Sequence, residues 1–307
     1  MKGRRGRSRT GRDVCGILLL DKPAGLTSNA ALQEAKRAFK ARKAGHTGSL
    51  DPIATGLLPL CFGEATKVSS FFLNADKRYR SVFTLGSATD TGDSEGQEIF
   101  SDSVDVSDKT IASTLDEFRG DLEQVPPMYS AVKFQGQPLY KLARQGIEVE
   151  RKPRQVTVRD ISFERIDEGR VQIDLHCTSG FYVRSLAHEL GERLGCGAHV
   201  SSLMRTGVGD FSLDDAIPLE RLTQEEDTGK LDELLIAMDI GLKHLPGVKL
   251  SDDAAYYLCR GQPVKAADAP SEGWVRLYAN EAGFLGLGEI LEDGRVAPKR
   301  LFNSGQG

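Results

Sequence analysis

Residues 45–59 read Gly45-His46-Thr47-Gly48-Ser49-Leu50-Asp51-Pro52-Ile53-Ala54-Thr55-Gly56-Leu57-Leu58-Pro59, with one carboxylate, one imidazole, three glycines and two prolines. Prolines remove backbone donors and fix φ, while glycines permit left-handed φ and close backbone approach. The run therefore reads as neither regular helix nor regular strand, but as a tightly shaped loop that presents Asp51. Asp51 can equally be a turn or N-cap residue, because Asp-Pro before apolar residues is a common helix start.

The segments around this loop carry regular patterns. Gly16 to Leu20 is a short apolar run suited to a buried strand that ends at the Lys22-Pro23-Ala24-Gly25 turn. Thr27 or Ser28 can cap a helix whose Leu32, Ala35 and Phe39 recur at helical spacing, and Lys36, Lys40 and Lys43 are expected on one face beside that stripe. Tyr79, Ser81, Phe83 and Leu85 alternate with Arg80, Val82 and Thr84, which predicts a strand beginning at Tyr79. Ser107 caps a helix carrying Ile111, Leu115 and Phe118. A second alternating run, Val171 to Cys177, turns at Ser179-Gly180 and enters a helix through Phe181-Tyr182-Val183-Arg184. Residues 214–233 are acidic and read as a helical connection. After Pro246 and Gly247, Ser251 caps a short helix closed by Gly261, and short strands follow, separated by turns at 280–283 and 292–294.

Composition sets the class of molecule. With 307 residues, 39% of them hydrophobic and 27% charged, the chain is long enough for one large or two ordinary globular domains. No apolar run approaches a membrane span and the N-terminus lacks the apolar core of a signal peptide, so the cytoplasm is the expected compartment. Five widely spaced cysteines without a Cys-x-x-Cys pair suggest buried reduced thiols rather than disulfides or a zinc site. The net charge of -4 hides an asymmetry: residues 1–80 hold 16 Lys and Arg against 6 Asp and Glu, a surplus of ten, so the remainder carries -14. A basic region on an acidic protein can still bind phosphate. Residues 1–13, arginines among glycines, are expected to be disordered. Between Gln124 and Arg154, aromatic and basic residues interleave in the manner suited to single-stranded or loop RNA. The fingerprints of phosphate-cradling loops, dinucleotide redox enzymes and serine hydrolases are missing.

In order and spacing, several motifs together resemble the bacterial tRNA pseudouridine synthases of the TruB family over about residues 14 to 210. They are Gly16 to Pro23, Gly45 to Pro52, Gly63 to Lys67, Asp76 to Arg80, Thr89-Asp90-Thr91-Gly92-Asp93, Pro127 to Ala131 and Ser179 to Arg184. The resemblance implies an α+β fold: a catalytic domain around a mixed, mostly antiparallel sheet flanked by helices at 14–245, and a small C-terminal PUA-like β-barrel at 246–307. Residues 124–154 resemble the insertion that embraces the T arm of tRNA. The implied activity is conversion of uridine 55 in the T loop to pseudouridine, on a base flipped out of the RNA.

That reaction breaks the N1–C1′ bond, turns the base and rejoins it through C5 without redox change, so its stoichiometry requires no cofactor and no metal. By resemblance Asp51 is the catalytic aspartate, Arg184 the arginine that pairs with it, and Tyr79 the tyrosine that stacks on uracil and to which removal of the C5 proton is assigned. His46 resembles the residue that fills the space left by the flipped base. Tyr182 and Leu203 match positions lining the uracil pocket, and Lys22 a lysine supporting the catalytic loop. Phe181 departs from the family, where a small polar residue is common. The implied form is a monomer without guide RNA. An RNA-folding factor using the same surface is the alternative from the binding class, and a guide-RNA-dependent enzyme of ribosomal RNA is the other.

Overall fold

The computed structural model describes residues 11–280 and 283–302. Ten strands form the main sheet. Eight run side by side in the order Ile217–Pro218, Gly16–Lys22, Thr55–Phe62, Ala198–Val208, Lys77–Leu85, Arg170–Cys177, Arg154–Arg165, Gly120–Gln124. Ala44–His46 adds to Thr55–Phe62, and Phe211–Ser212 to Ala198–Val208. Two pairings are parallel, Gly16–Lys22 with Ile217–Pro218 and Ala198–Val208 with Thr55–Phe62; the rest are antiparallel. The sheet is thus mixed and mostly antiparallel, as expected.

Period-2 alternation along Lys77–Leu85 sends Phe83 and Leu85 into a core completed by three helices, Ser28–Ala38, Asp108–Asp116 and Val183–Leu194. Each helix gives that core an apolar stripe: Ala31, Leu32 and Ala35; Ile111 and Leu115; Leu186, Ala187 and Leu190. The side chains of Thr27 and Ser107 cap the first two, accepting from Ala30 N at 3.1 Å and Thr110 N at 3.2 Å. On the opposite face Ile17, Leu19, Leu57, Phe72, Val208 and Phe211 form a second core that reaches Leu287 of the C-terminal sheet.

Several sequence expectations need correction. The 45–59 run is a loop only at 47–54; Thr55–Phe62 is a strand despite Gly56 and Pro59. On one edge that strand pairs with Ala198–Val208 at residues 55–56 and with Ala44–His46 at 60–62, so Pro59 falls between the partners. Its missing N–H interrupts no ladder there, and its carbonyl accepts from Thr47 N at 3.1 Å. The three lysines share no helical face: the helix stops at Ala38 and Lys40 is left-handed at φ 49°. The Tyr79 strand starts two residues earlier, at Lys77. Residues 214–233 hold two short helices, Leu219–Gln224 and Thr228–Asp232. The tail expected to be disordered lies outside the described residues up to residue 10. Residues 11–13 are ordered, with Arg42 N bonded to Arg12 O at 3.0 Å and the Arg12 guanidinium paired to Asp232. Cys61, Cys177 and Cys196 are buried thiols, whereas Cys15 and Cys259 are exposed.

The C-terminal segment contains a four-stranded sheet, Gly247–Leu250, Gly273–Ala279, Gly283–Ile290 and Val296–Leu301. Among the described residues it does not close into the expected barrel. Helix Asp252–Cys259, capped by Ser251, packs Ala255 and Leu258 on one face of this sheet, while Trp274, Phe284 and Leu287 of its strands join the second core. The turn expected at 280–283 includes residues 281 and 282, which lie outside the described residues.

Candidate active site

Asp51 stands on the 47–54 loop, which the neighbouring turn holds from below. Ser28 Oγ accepts from Leu50 N at 2.6 Å and donates to Leu50 O at 3.0 Å, and Gly25 N donates to Pro52 O at 2.8 Å. Lys22, fully buried, shapes that turn by donating from Nζ to Pro23 O at 2.8 Å and Leu26 O at 2.7 Å. Burial brings its ammonium down to about 8, against the pull of the Asp51 and Asp21 carboxylates. It lies beneath the loop and is not part of the cavity wall.

The cavity beside Asp51 measures about 480 Å³ and is lined by Tyr79, Tyr182, Arg184, Leu203 and Arg205 among others. It brings together five of the seven residues expected at the site. His46 is the other exception, lying in the strand that leads into the loop, with Nδ1 buried and without a hydrogen-bond partner. Burial, and then the nearby Arg205 cation, lower its pKa. Phe181 is buried in the core and also touches the cavity. A larger cavity of about 770 Å³, lined by Phe71, Arg78, His176, His244, Trp274 and Arg300, contains none of the expected site residues. The expected site residues thus gather at the smaller one.

Arg184 is the hub. Its Nε lies 3.0 Å from Asp51 Oδ2 and its Nη1 lies 3.4 Å from Asp93 Oδ2. The guanidinium also donates to Thr91 O at 3.0 Å and Tyr129 O at 2.6 Å. Two of the sequence motifs, 89–93 and 127–131, thus meet on one side chain. Asp93 is itself fixed: Thr91 Oγ1 donates to its Oδ1 at 2.6 Å and Glu95 N at 3.1 Å. The Asp93 and Arg184 side chains are 5% and 6% exposed, while Asp51 is 39% exposed and faces the cavity. Asp51 is thus the carboxylate that a ligand can reach. Desolvation by the cavity walls raises its pKa; Arg184 opposes this and Asp93 adds to it.

Tyr79 projects from the strand at the centre of the site, where burial raises its phenol pKa and Arg205 draws it down. Tyr182 sits at the helix entry without a side-chain cap of its own. Gln124 clamps the backbone of this entry residue, accepting from Tyr182 N at 2.7 Å and donating to Tyr182 O at 3.1 Å. Leu203 supplies an apolar wall from Ala198–Val208. The sequence reading gave no role to Arg205 or Gln124 and none to Asp93 beyond its motif; only long-range folding reveals their partners. Among the described residues no cluster of side chains is arranged to hold a metal ion, and no helix is long and apolar enough to cross a membrane.

The mixed sheet carries an accessible aspartate locked to a buried arginine beside a tyrosine, and its likeness to known proteins makes its fold that of a pseudouridine synthase. Solved structures share this fold: the chain is similar over 94% of its length, and 83% of the other chain, to one in "Crystal Structure of a Cbf5-Nop10-Gar1 Complex", with TM-score 0.71 and 26% identity. A second similar chain, in "Structure of H/ACA RNP bound to a substrate RNA containing 2'-deoxyuridine", has TM-score 0.71 and 25% identity, with 94% and 84% covered. Residues 36–183 match the TruB family pseudouridylate synthase (N terminal domain), residues 184–243 the tRNA pseudouridylate synthase B C-terminal domain, and residues 246–302 the Pseudouridine synthase II TruB, C-terminal. The chain is 51% identical over 299 residues to tRNA pseudouridine synthase B of Stutzerimonas stutzeri (strain A1501), covering 96% of this chain and 98% of the relative. It is 52% identical to the protein of that name from Nitrosococcus oceani, with 97% of each covered. The chain belongs to the TruB family of tRNA pseudouridine synthases.

Proposed function

We propose that this enzyme isomerises uridine 55 in the T loop of tRNA to pseudouridine, on a base flipped into the 480 Å³ cavity. The observation that carries the reading is Asp51, held at 3.0 Å by Arg184 at the edge of a cavity walled by Tyr79, Tyr182 and Leu203. The N1–C1′ bond breaks, the uracil turns within the walls, and C5 bonds to C1′; the C5 proton leaves and N1 gains one. At the sugar this needs a carboxylate, as nucleophile at C1′ or as base toward a sugar proton, and Asp51 is placed for either. Arg184 keeps that carboxylate ionised and aimed, and holding it in place costs no reorganisation during the reaction. Tyr79 meets the uracil face and serves C5, while Tyr182 and Leu203 confine the detached base. His46, kept neutral by its surroundings, fills the space left in the RNA stack, a role that does not require it to line the cavity.

The full-length relatives named tRNA pseudouridine synthase B support an enzyme that works on tRNA without guide RNA, and we propose that it acts as a monomer. The exposed cations Lys133, Lys141, Arg144 and Lys152, beside the short 133–138 hairpin, are placed for the phosphates of the T arm. The test is incubation with unmodified tRNA and with an isolated T stem-loop, each tritiated at uridine C5, without guide RNA, metal or cofactor. Stoichiometric release from position 55 of both supports the reading; release only when guide RNA is added would replace it with the guide-dependent one.

A further inference from the structure

Arg205 is among the largest fully buried side chains in the protein, 1% exposed, and among the described residues it makes no ion pair with a carboxylate. A buried guanidinium in that condition is costly, and an apolar side chain of similar volume would ordinarily be more stable. The basic groups around it, Lys22, Lys77 and His46, are each pushed toward neutrality by burial first and by its charge in addition. The Arg184 guanidinium, by contrast, is shared between two carboxylates.

The backbone is arranged to admit this side chain. Arg205 pairs with Gly56 across the parallel strands, and a Cβ at Gly56, whose φ is 94°, would run into the Arg205 backbone. Arg205 Nε donates to Leu57 O at 2.8 Å and Nη2 to Gly48 O at 3.3 Å. On its other side it is the register partner of Tyr79 on the neighbouring strand, and its charge draws down the pKa of the Tyr79 phenol, which burial raises. Both side chains line the cavity. One rigid planar group therefore connects the phenol to the strand below and to Gly48, three residues before Asp51.

We infer that Arg205 is a positioning residue for Tyr79: it fixes the phenol oxygen relative to the Asp51 loop and supplies the positive charge that faces it. The inference rests on the reading that Tyr79 meets the uracil. Two carbonyl bonds immobilise the guanidinium, so the charge beside Tyr79 on the neighbouring strand stays in one place. A tyrosine placed in this way keeps its ring against the base while the uracil turns, and its oxygen is held in its polarised state for proton transfer at C5.

The experiment is a double-mutant cycle between Arg205 and Tyr79, read by single-turnover C5 tritium release from saturating tRNA, with tRNA affinity measured alongside. Arg205→Met should slow turnover about 100-fold or more, the scale of a misplaced catalytic group, while tRNA affinity changes less than about threefold. Arg205→Lys keeps the charge but not the fork and should recover only part of the rate. In a Tyr79→Phe background, which has no phenol to hold, both substitutions should cost almost nothing further. If Arg205→Met does not fold, the Arg205→Lys half of the cycle decides alone. Additive losses in the two backgrounds, or an Arg205→Lys enzyme as fast as the parent, would overturn the inference. A Tyr79→Phe enzyme with undiminished turnover would remove the reading beneath it, and the inference with it.

Discussion

Asp93→Asn keeps the side chain's shape and its acceptor for Glu95 N but removes one of the two carboxylates on Arg184. At 3.4 Å, and with the effective dielectric of a partly solvated interior, the lost attraction is about 4 to 5 kcal/mol gross. Removing one partner of a buried pair costs about 3 to 5 kcal/mol net. Arg184 retains Asp51 and the carbonyls of Thr91 and Tyr129, so the low end, about 3 kcal/mol, is expected. In a chain of this size that lowers the thermal midpoint by about 5 °C. Asp93 also raises the pKa of Asp51, so its neutralisation lets Asp51 ionise at lower pH and leaves Arg184 to it alone. The acid limb of a single-turnover pH–rate profile should therefore move to lower pH, even as turnover falls because Arg184 is no longer held from behind. Differential scanning calorimetry and tritium release across pH measure both effects. An unchanged midpoint with an acid limb that stays put or moves upward would refute the shared-arginine account.

Two further outcomes follow from the same geometry. Lys22 is pulled down to about 8 in the folded protein, so between that pH and its ordinary value of 10.5 the unfolded chain binds the proton more tightly and folding stability rises with pH. Urea unfolding should show the wild type gaining up to about 3 kcal/mol on Lys22→Met across this window, and a constant gap would contradict the burial argument. Replacing Lys133 and Lys141 with Ala should reduce the steepness of log affinity for tRNA against log salt by about 0.7 to 0.9 for each phosphate that is no longer neutralised. An unchanged slope would place the T arm elsewhere.

What could be read from the sequence was local. Alternation located the Tyr79 strand, and Thr27, Ser107 and Ser251 announced their helices because a capping side chain acts within three residues of itself. Thr55–Phe62 was hidden because Pro59 and Gly56 argue against a strand unless the gap between its two partners is known. The long central strand Ala198–Val208 was hidden too: its register shifts after Val200 and after Arg205, which breaks the alternation, and a buried arginine reads as an outward-facing residue. The lysines at 36, 40 and 43 misled because the helix ends before the spacing can place them together. Asp51, Tyr79 and Arg184 were assigned through motif resemblance, since no local pattern separates a reachable carboxylate from a turn residue. Gln124 had no local signal at all, because its partner is Tyr182, on the helix entry across the fold.

The most direct test of the central claim is Asp51→Asn, assayed by C5 tritium release from tRNA under single-turnover conditions beside a thermal melt. Asn keeps the size and most of the hydrogen-bonding capacity of Asp, and Arg184 keeps Asp93 as its buried partner, so the fold should survive with little change in midpoint. The side chain can then neither attack C1′ nor accept a sugar proton, and turnover should fall by several orders of magnitude while tRNA remains bound. Isomerisation that continues at a rate near that of the parent would return Asp51 to a structural role and contradict the assignment of the active site.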